Sequence, residues 1–283
     1  MDLALEFIEK NADKPFCIFV SRHRPHPPYA EAPSQFAQMY SPKAITLGPN
    51  VPQEGATSWR RSQVQYFAHV SAMDQEIGRL MRKLAQLGIA EDTLVCYSSD
   101  HGDMLGTFGM QGKNRPWEEA INVPFVIRWP AGIRAGMQVE TLFSTVDATP
   151  TLLGLAGVPA LPQMQGTDFS SLLKGTNAAS KPAGPESVFI MGGGAASSGD
   201  QEDEGGAGKG KRASKNAGGG NGWRGVRTPR FTFTRRNAEP WLLYDNEKDP
   251  SQTHNLIQDA GYEQTRKQLD AMLHQWQKRV GEA

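Results

Sequence analysis

The sequence has few cysteines, with only Cys17 and Cys96 among its 283 residues. The two lie far apart in short apolar stretches and show no Cys-x-x-Cys spacing. A disulfide framework or a structural zinc site needs several cysteines, or cysteines and histidines, at characteristic spacings. The cysteine content therefore excludes both kinds of structure and predicts two buried free thiols.

Net charge and long apolar runs are also lacking. Thirty Lys and Arg residues balance thirty Asp and Glu residues, so no overall charge draws the chain to nucleic acid or to an anionic membrane. No stretch approaches the roughly 20 apolar residues that span a bilayer. Residues 1–10 show an acidic amphipathic pattern without the basic-then-apolar layout of a signal peptide. We therefore expect neither a nucleic-acid partner nor a membrane span, and the compartment stays open.

A Gly/Ser-rich segment interrupts the chain over residues 175–222, and its composition predicts a mobile insertion because it cannot bury enough apolar surface. Its basic cluster at 209–215 would suit nucleic acid. The adjoining acidic run at 200–204 and the lack of interleaved aromatic residues favour a solvated loop instead. The chain is thus predicted to have an α/β part over 1–174, this insertion, and a smaller part over 223–283.

The first part shows a pattern typical of an α/β sheet. Apolar positions at steps of three and four predict a long helix over about 60–87. Short apolar runs at 16–21, 94–97 and 123–129 predict buried strands, and the continuous apolar character of 16–21 suggests burial on both faces, as in a parallel sheet. Asp147 precedes an apolar stretch that ends at a glycine, and we assign Asp147 to helix capping or another structural role rather than to catalysis.

The residues with the clearest chemistry follow the predicted strand at 94–97. Asp100 and His101 come at its C-terminal end, where ligands bind in open α/β sheets. A carboxylate and an imidazole can together supply an oxygen and a nitrogen ligand to a divalent cation. Gly102 allows a sharp turn after them, and Lys113 on a Gly-rich loop could approach an anion. A simpler alternative is a turn in which Asp100 caps neighbouring amides.

The C-terminal part has a different pattern. Val226, Phe231 and Phe233 lie in two short β-type runs separated by a segment with Pro229, which predicts edge strands of a small antiparallel sheet. An amphipathic helix is predicted to close the chain over about 262–280. This part therefore forms a small sheet with one helix.

Longer strings within these segments resemble a known family. They are Ser-Asp-His-Gly-Asp-Met-Leu-Gly at 99–106, Gly-Lys-Asn-Arg-Pro-Trp-Glu-Glu at 112–119 and Val-Pro-Phe-Val-Ile-Arg-Trp-Pro at 123–130. Together with Leu-Tyr-Asp and Asn-Leu within 243–256, they resemble the sulfatases of the alkaline-phosphatase-like superfamily. The histidine after the metal-binding aspartate is most similar to the choline-sulfatase and phosphonate monoester hydrolase branch.

The resemblance implies an alkaline-phosphatase-like mixed, mainly parallel sheet flanked by helices, followed by the small antiparallel sheet. It implies metal-dependent hydrolysis of a sulfate ester on an anionic small molecule or glycan. Asp100 and His101 would bind the divalent cation, with calcium expected first and magnesium or manganese as alternatives. Lys113 would contact the sulfuryl group. His26, in a Pro-His-x-Pro segment, would assist departure of the alcohol.

The sequence also departs from the family pattern. No Cys or Ser begins the x-Pro-x-Arg type of motif that yields the formylglycine nucleophile, and the paired aspartates of the family's first strand have no counterpart. We expect a truncated sulfatase that begins inside the catalytic domain, or a paralogue that kept the scaffold without the chemistry. A phosphoryl or phosphonate monoester hydrolase and a non-catalytic binding protein remain the alternatives.

Overall fold

A computed structural model describes residues 1–175, 184–193 and 222–282. Its α-helices are α1 (Asp2–Lys10), α2 (Ser34–Ala37), α3 (Ala56–Gln86), α4 (Glu118–Ile121), α5 (Thr145–Leu155), α6 (Ser170–Leu173) and α7 (Glu263–Val280). Its strands are β1 (Val95–Ser98), β2 (Phe125–Arg128), β3 (Val188–Gly192), β4 (Trp223–Arg227), β5 (Phe231–Arg236) and β6 (Glu239–Asp245). Short 3-10 turns cover Tyr29–Glu31, Pro42–Ala44, Thr107–Gly109 and Ala260–Tyr262.

The chain divides into two compact units. The first unit comprises residues 1–98, 105–110 and 125–135, and the second comprises 99–104, 111–124 and the described part of 136–283. The first unit thus contains α1 to α3 with β1 and β2, and the second contains the remaining helices and strands.

The long helix α3 confirms the helix that the sequence predicts. It buries Val64 and Ala68, which lie one turn apart on the same side, and Leu84 nearer its C-terminal end. Its end coincides with Gly88, whose φ of +71° is a left-handed conformation that stops a helix. Within the described ranges, no helix combines the length and apolar character needed to cross a membrane.

The predicted parallel sheet is not confirmed. Strands β1 and β2 pair antiparallel, with Val95 opposite Arg128 and Ser98 opposite Phe125. Every strand pairing within the described residues is antiparallel. The two strands are also less buried than their apolar sequences predict, since Tyr97 is 36% exposed and Val126 is 59% exposed. An apolar run indicates a tendency to be buried, but it does not specify a neighbouring strand.

The strand predicted at 16–21 is wrong, because this segment is irregular in the structure. Phe19 in it is 92% exposed, and Cys17 is an exposed free thiol rather than a buried one. Cys96 is partly buried, and this burial raises the pKa of its thiol. A strand needs a hydrogen-bonded partner for its backbone, and the residues 16–21 have none in the described sheets.

The second unit contains an antiparallel sheet in the order β3-β4-β5-β6. Helix α7 packs against β4 and β5, and the core between them is made of Val226, Phe233, Leu243, Ile257, Leu269 and Leu273. The small antiparallel sheet and its helix are therefore confirmed. The prediction that β4 and β5 are edge strands is wrong, because β3 and β6 occupy the edges. Pro229 lies in the connection between β4 and β5, where no ladder donor is needed.

The strand β3 lies inside the range that the sequence assigns to a mobile insertion. It pairs with β4 along its length, with Phe189 opposite Val226. Its apolar residues thus form one strand of the sheet. The glycines around these residues obscure the strand pattern in the sequence. The remaining bulk of that range, including the basic cluster at 209–215, lies outside the described residues.

Helix α5 confirms the structural assignment of Asp147 but shifts its position. Ser144 is the N-cap, and Asp147 is the third helical residue, whose Oδ2 accepts from the Ser144 amide at 2.8 Å. The Asp147 Oδ1 accepts from the Thr167 amide at 2.7 Å. The capping box of Ser144 and Asp147 pairs the backbone amides of these two residues, which lie at the start of the helix where the helix itself supplies no i−4 carbonyl.

Candidate metal and anion site

Asp100 and His101 follow β1 and belong to the second unit. The Asp100 Oδ2 and His101 Nε2 atoms are 3.7 Å apart, and the Asp100 side chain is 88% exposed. His101 Nδ1 lies 2.7 Å from the carbonyl oxygen of Gly102. Because a carbonyl oxygen only accepts, Nδ1 carries a proton, and Nε2 is the acceptor of the neutral ring. That acceptor faces the carboxylate.

This pair fits a cation as two of its ligands. Two ligand atoms that bind one cation about 2.0–2.5 Å away at roughly a right angle are about 3–3.5 Å apart. The separation of Oδ2 and Nε2 is only slightly larger. A backbone hydrogen bond on the other ring nitrogen is also how metal-binding histidines are commonly oriented. Across 1–175, 184–193 and 222–282, no three His, Cys, Asp or Glu residues cluster as a metal site.

The segment that carries Asp100 and His101 is fixed to α4. The Gly102 amide donates to Ala120 O at 2.9 Å. A Cβ atom on Gly102 would lie 2.0 Å from Glu119 O, so only glycine permits this approach. Ser99 Oγ donates to His101 O at 2.8 Å, which tightens the turn. The backbone around the proposed ligands is thus fixed by one hydrogen bond to α4 and one within the turn.

The loop that carries Lys113 is hydrogen-bonded to the same segment. The Met104 amide donates to Gly112 O at 2.9 Å, and the Gly112 amide donates to Asp103 Oδ1 at 3.1 Å. The structure therefore brings the backbone next to Lys113 together with the segment of the proposed ligands. Gly112 adopts a φ of +80°, which glycine allows without strain.

The C-terminal sheet also contacts this loop and the start of α4, a feature that the sequence did not predict. Trp223 Nε1 donates to Asn114 O at 3.2 Å, and Trp117 Nε1 donates to Tyr244 Oη at 3.2 Å. Burial raises the pKa of the Tyr244 phenol, so the phenol stays neutral at physiological pH.

An ion pair adds to these contacts. Arg227 Nε lies 2.7 Å from Glu118 Oε1, and Gln252 Oε1 accepts from the Glu118 amide at 3.1 Å. Both contacts fix the first residue of α4, which follows the Lys113 loop. Each of these four contacts joins residues that are more than 100 positions apart in the chain. No local sequence motif therefore predicts them.

His26 belongs to the first unit. Its amide donates to His23 O at 3.1 Å, and its Nδ1 lies 3.0 Å from Pro27 O. The rings of His23 and His26 are 4.7 Å apart. The structure thus describes an ordered loop around His26, and the role of this residue stays a prediction.

Comparison with known proteins places the chain in the alkaline-phosphatase-like superfamily. A sulfatase family model matches residues 1–158, and the chain belongs to the sulfatase family. It is 33% identical over 276 residues to an ulvan-active sulfatase of Formosa agariphila, covering 95% of this chain and 49% of that protein. It is 34% identical over 186 residues to a choline-sulfatase of Rhizobium meliloti, covering 58% of this chain and 36% of that protein.

The fold is similar to that of a phosphonate monoester hydrolase of Agrobacterium radiobacter. The TM-score is 0.77 at 24% identity, and the match covers 98% of this chain and 60% of that one. The chain spans about half the length of the ulvan-active relative.

Proposed function

We propose that this chain supplies the cation-binding and sulfuryl-binding part of a sulfatase active site. The observation that supports this most strongly is the 3.7 Å separation of Asp100 Oδ2 and His101 Nε2. The hydrogen bonds between their segment and the loop of Lys113 give further support. Sulfuric-ester hydrolysis is the activity that the family membership favours.

Each residue has a distinct part in this proposal. Asp100 and His101 would hold a divalent cation, with calcium expected first, and such a cation polarises the sulfuryl oxygens. The Lys113 ammonium would bind the same oxygens and offset charge that develops on them. His26 would donate a proton to the departing alcohol oxygen. Calcium prefers six to eight oxygen ligands, so two residues alone should bind it weakly.

A non-catalytic binding role is the second candidate. The covalent route of sulfatases needs a formylglycine nucleophile, and neither Cys17 nor Cys96 stands in the motif that yields one. The polypeptide in isolation would then bind a sulfate ester without turning it over. The resemblance of the fold to a phosphonate monoester hydrolase makes that ester class a further substrate to test.

The test is hydrolysis and binding of four esters in the presence of calcium. These are an aryl sulfate, choline sulfate, ulvan oligosaccharides and an aryl phosphonate monoester. Lys113→Ala is the test variant, and Lys267→Ala is the control because Lys267 lies on the exposed surface of α7, paired with Glu263 at 2.7 Å.

The outcomes separate the candidates. Sulfate turnover that is lost in Lys113→Ala and kept in Lys267→Ala supports a sulfuric-ester hydrolase. Faster turnover of the phosphonate supports the phosphonate class, and calcium-dependent binding without turnover supports the binding role. If neither binding nor turnover depends on Lys113, the proposal is wrong.

A further inference from the structure

His69 is a buried ionisable residue that has no part in the proposed site. It lies in α3 and is 2% exposed. Its Nε2 atom lies 3.1 Å from Tyr29 O and 3.3 Å from Arg24 Nη1. Protonating a buried imidazole costs free energy, because the charged ring loses its hydration. Both contacts of His69 lie on one loop.

That loop is the one that carries His26. Arg24 Nη1 also donates to Pro28 O at 3.0 Å, and the other arm of the guanidinium pairs with Glu31. Arg24 and Tyr29 therefore mark the two ends of a short loop, and His26 lies between them in the sequence. His69 contacts both ends through a single atom.

We propose that His69 is a positioning residue that fixes the loop of His26 while its imidazole is neutral and loosens this loop when the imidazole is protonated. The functional part of the inference rests on the role proposed for His26. The structural part rests only on the contacts of His69 with Arg24 and Tyr29.

The chemistry of these contacts gives the direction of the effect. A neutral Nε2 can accept a hydrogen bond from Arg24, or it can carry the proton and donate to Tyr29 O. A protonated ring can donate only, and its charge then lies next to the Arg24 guanidinium, where the repulsion is only partly offset by Glu31. Among the other elements packed on α3, α2 carries no ionisable side chain and the Pro42–Ala44 turn carries Lys43. The acidic residues Asp2 and Glu9 of α1 pair with Arg79 and Lys83, ten or more residues further along α3.

The shift in the pKa of His69 agrees with this direction of the pH effect. Burial lowers this pKa first, and the charge of Arg24 lowers it further. The unfolded chain therefore takes up the proton at a higher pH than the folded chain does. The loop contacts are fully stable above about pH 6.5, and they weaken as the pH falls from there toward the lowered pKa.

Hydrogen exchange of the peptide over residues 22–32 tests the inference, with mass spectrometry at pH 7.5 and pH 4.5. His69→Gln is the first variant, because its amide can both accept from Arg24 and donate to Tyr29 O without titrating. His69→Leu removes the polar contacts and keeps the volume. His254→Gln is the control, because the His254 side chain is 82% exposed.

At pH 7.5 we expect wild type, His69→Gln and His254→Gln to match, and His69→Leu to exchange about tenfold faster in this peptide only. At pH 4.5 we expect wild type and His254→Gln to exchange about tenfold faster than His69→Gln. Equal exchange of wild type and His69→Gln at pH 4.5 overturns the inference. The inference is also overturned if His69→Leu leaves the exchange rate of this peptide unchanged, or if it raises exchange equally throughout the chain.

Ester binding and turnover by the same variants separate the two proposals. If His69→Leu loosens the loop and also lowers sulfate-ester turnover, the result supports both the proposed function and the positioning role of His69. If the loop loosens but Lys113→Ala has no effect on any ester, the proposed function fails and the positioning role of His69 remains.

Discussion

The indole N–H of Trp223 donates to the carbonyl oxygen of Asn114 at 3.2 Å. Asn114 directly follows Lys113, and it adopts a left-handed φ of +64° that non-glycine residues rarely take. Trp223 is 5% exposed and begins the inner strand β4. The C-terminal sheet thus fixes the backbone of the loop that carries the proposed anion-binding ammonium.

Trp223→Phe should loosen this loop. The substitution keeps an aromatic ring but removes the hydrogen bond to Asn114 O, so we expect the free energy of unfolding to fall by about 1 kcal/mol. Sulfate-ester binding should weaken as well, because Lys113 loses its fixed backbone. Urea unfolding and calorimetric binding measure the two effects.

Trp276→Phe is the matched control for this substitution. It removes the indole hydrogen bond to Ser187 Oγ at 2.9 Å, so the unfolding free energy should fall by a similar amount, about 1 kcal/mol. Ester binding should stay unchanged. An equal loss of binding in both variants would argue against a specific role of Trp223.

Gly102→Ala should disrupt the proposed cation site. The new Cβ would lie 2.0 Å from Glu119 O, so the backbone around His101 must move, at a cost of about 1–3 kcal/mol. Gly78→Ala in α3 is the control, because its Cβ would meet only the flexible Arg82 side chain at 3.3 Å. That control should stabilise the helix by about 0.5–1 kcal/mol. Thermal unfolding with and without calcium measures both, and a fully stable Gly102→Ala variant would be incompatible with this packing.

The ion pair of Arg230 and Asp245 should make the stability depend on pH. Arg230 Nη2 and Nε contact the two carboxylate oxygens at 2.6 and 3.0 Å, and these hydrogen bonds hold the pKa of Asp245 below its usual range. The pair therefore stabilises the fold above the ordinary aspartate pKa of about 3.9, and this contribution is lost as the pH falls below it.

Arg230→Gln should accordingly lower the urea midpoint at pH 7 and have a smaller effect at pH 3. The control is Lys267→Gln, which removes an exposed ion pair on α7 and should change the midpoint little at either pH. A difference between wild type and Arg230→Gln that is equally large at pH 3 would contradict the role of the ionised carboxylate.

Periodic and local patterns predicted much of the fold. Helix α3 was predictable because its apolar stripe continues over many turns, and α7 for the same reason. The five residues of β3 were not predicted as a strand, because glycines and charges of both signs surround them in the sequence. The strand expected at 16–21 failed because an apolar sequence does not say whether a partner strand is present. Asp147 was correctly assigned a structural role, but it is the third residue of α5 and Ser144 is the N-cap.

The candidate site was predictable in part. Asp100 and His101 are adjacent in sequence, so any sharp turn after β1 brings their side chains close. The support from Trp223 and Tyr244 was not predictable, because these residues are 109 and 127 positions from their partners. An indole or phenol has one polar atom, and the sequence does not identify which carbonyl or hydroxyl it will meet.

The most direct test of the central claim is NMR line broadening by substoichiometric Mn²⁺, which detects weak binding residue by residue. We expect selective broadening of the amide signals of His101, Gly102 and Lys113, reversed by excess calcium and lost in Asp100→Asn. The control Asp92→Asn, at an exposed aspartate, should behave like wild type. Broadening that bypasses these three residues, or that persists in Asp100→Asn, would contradict a cation site at Asp100 and His101.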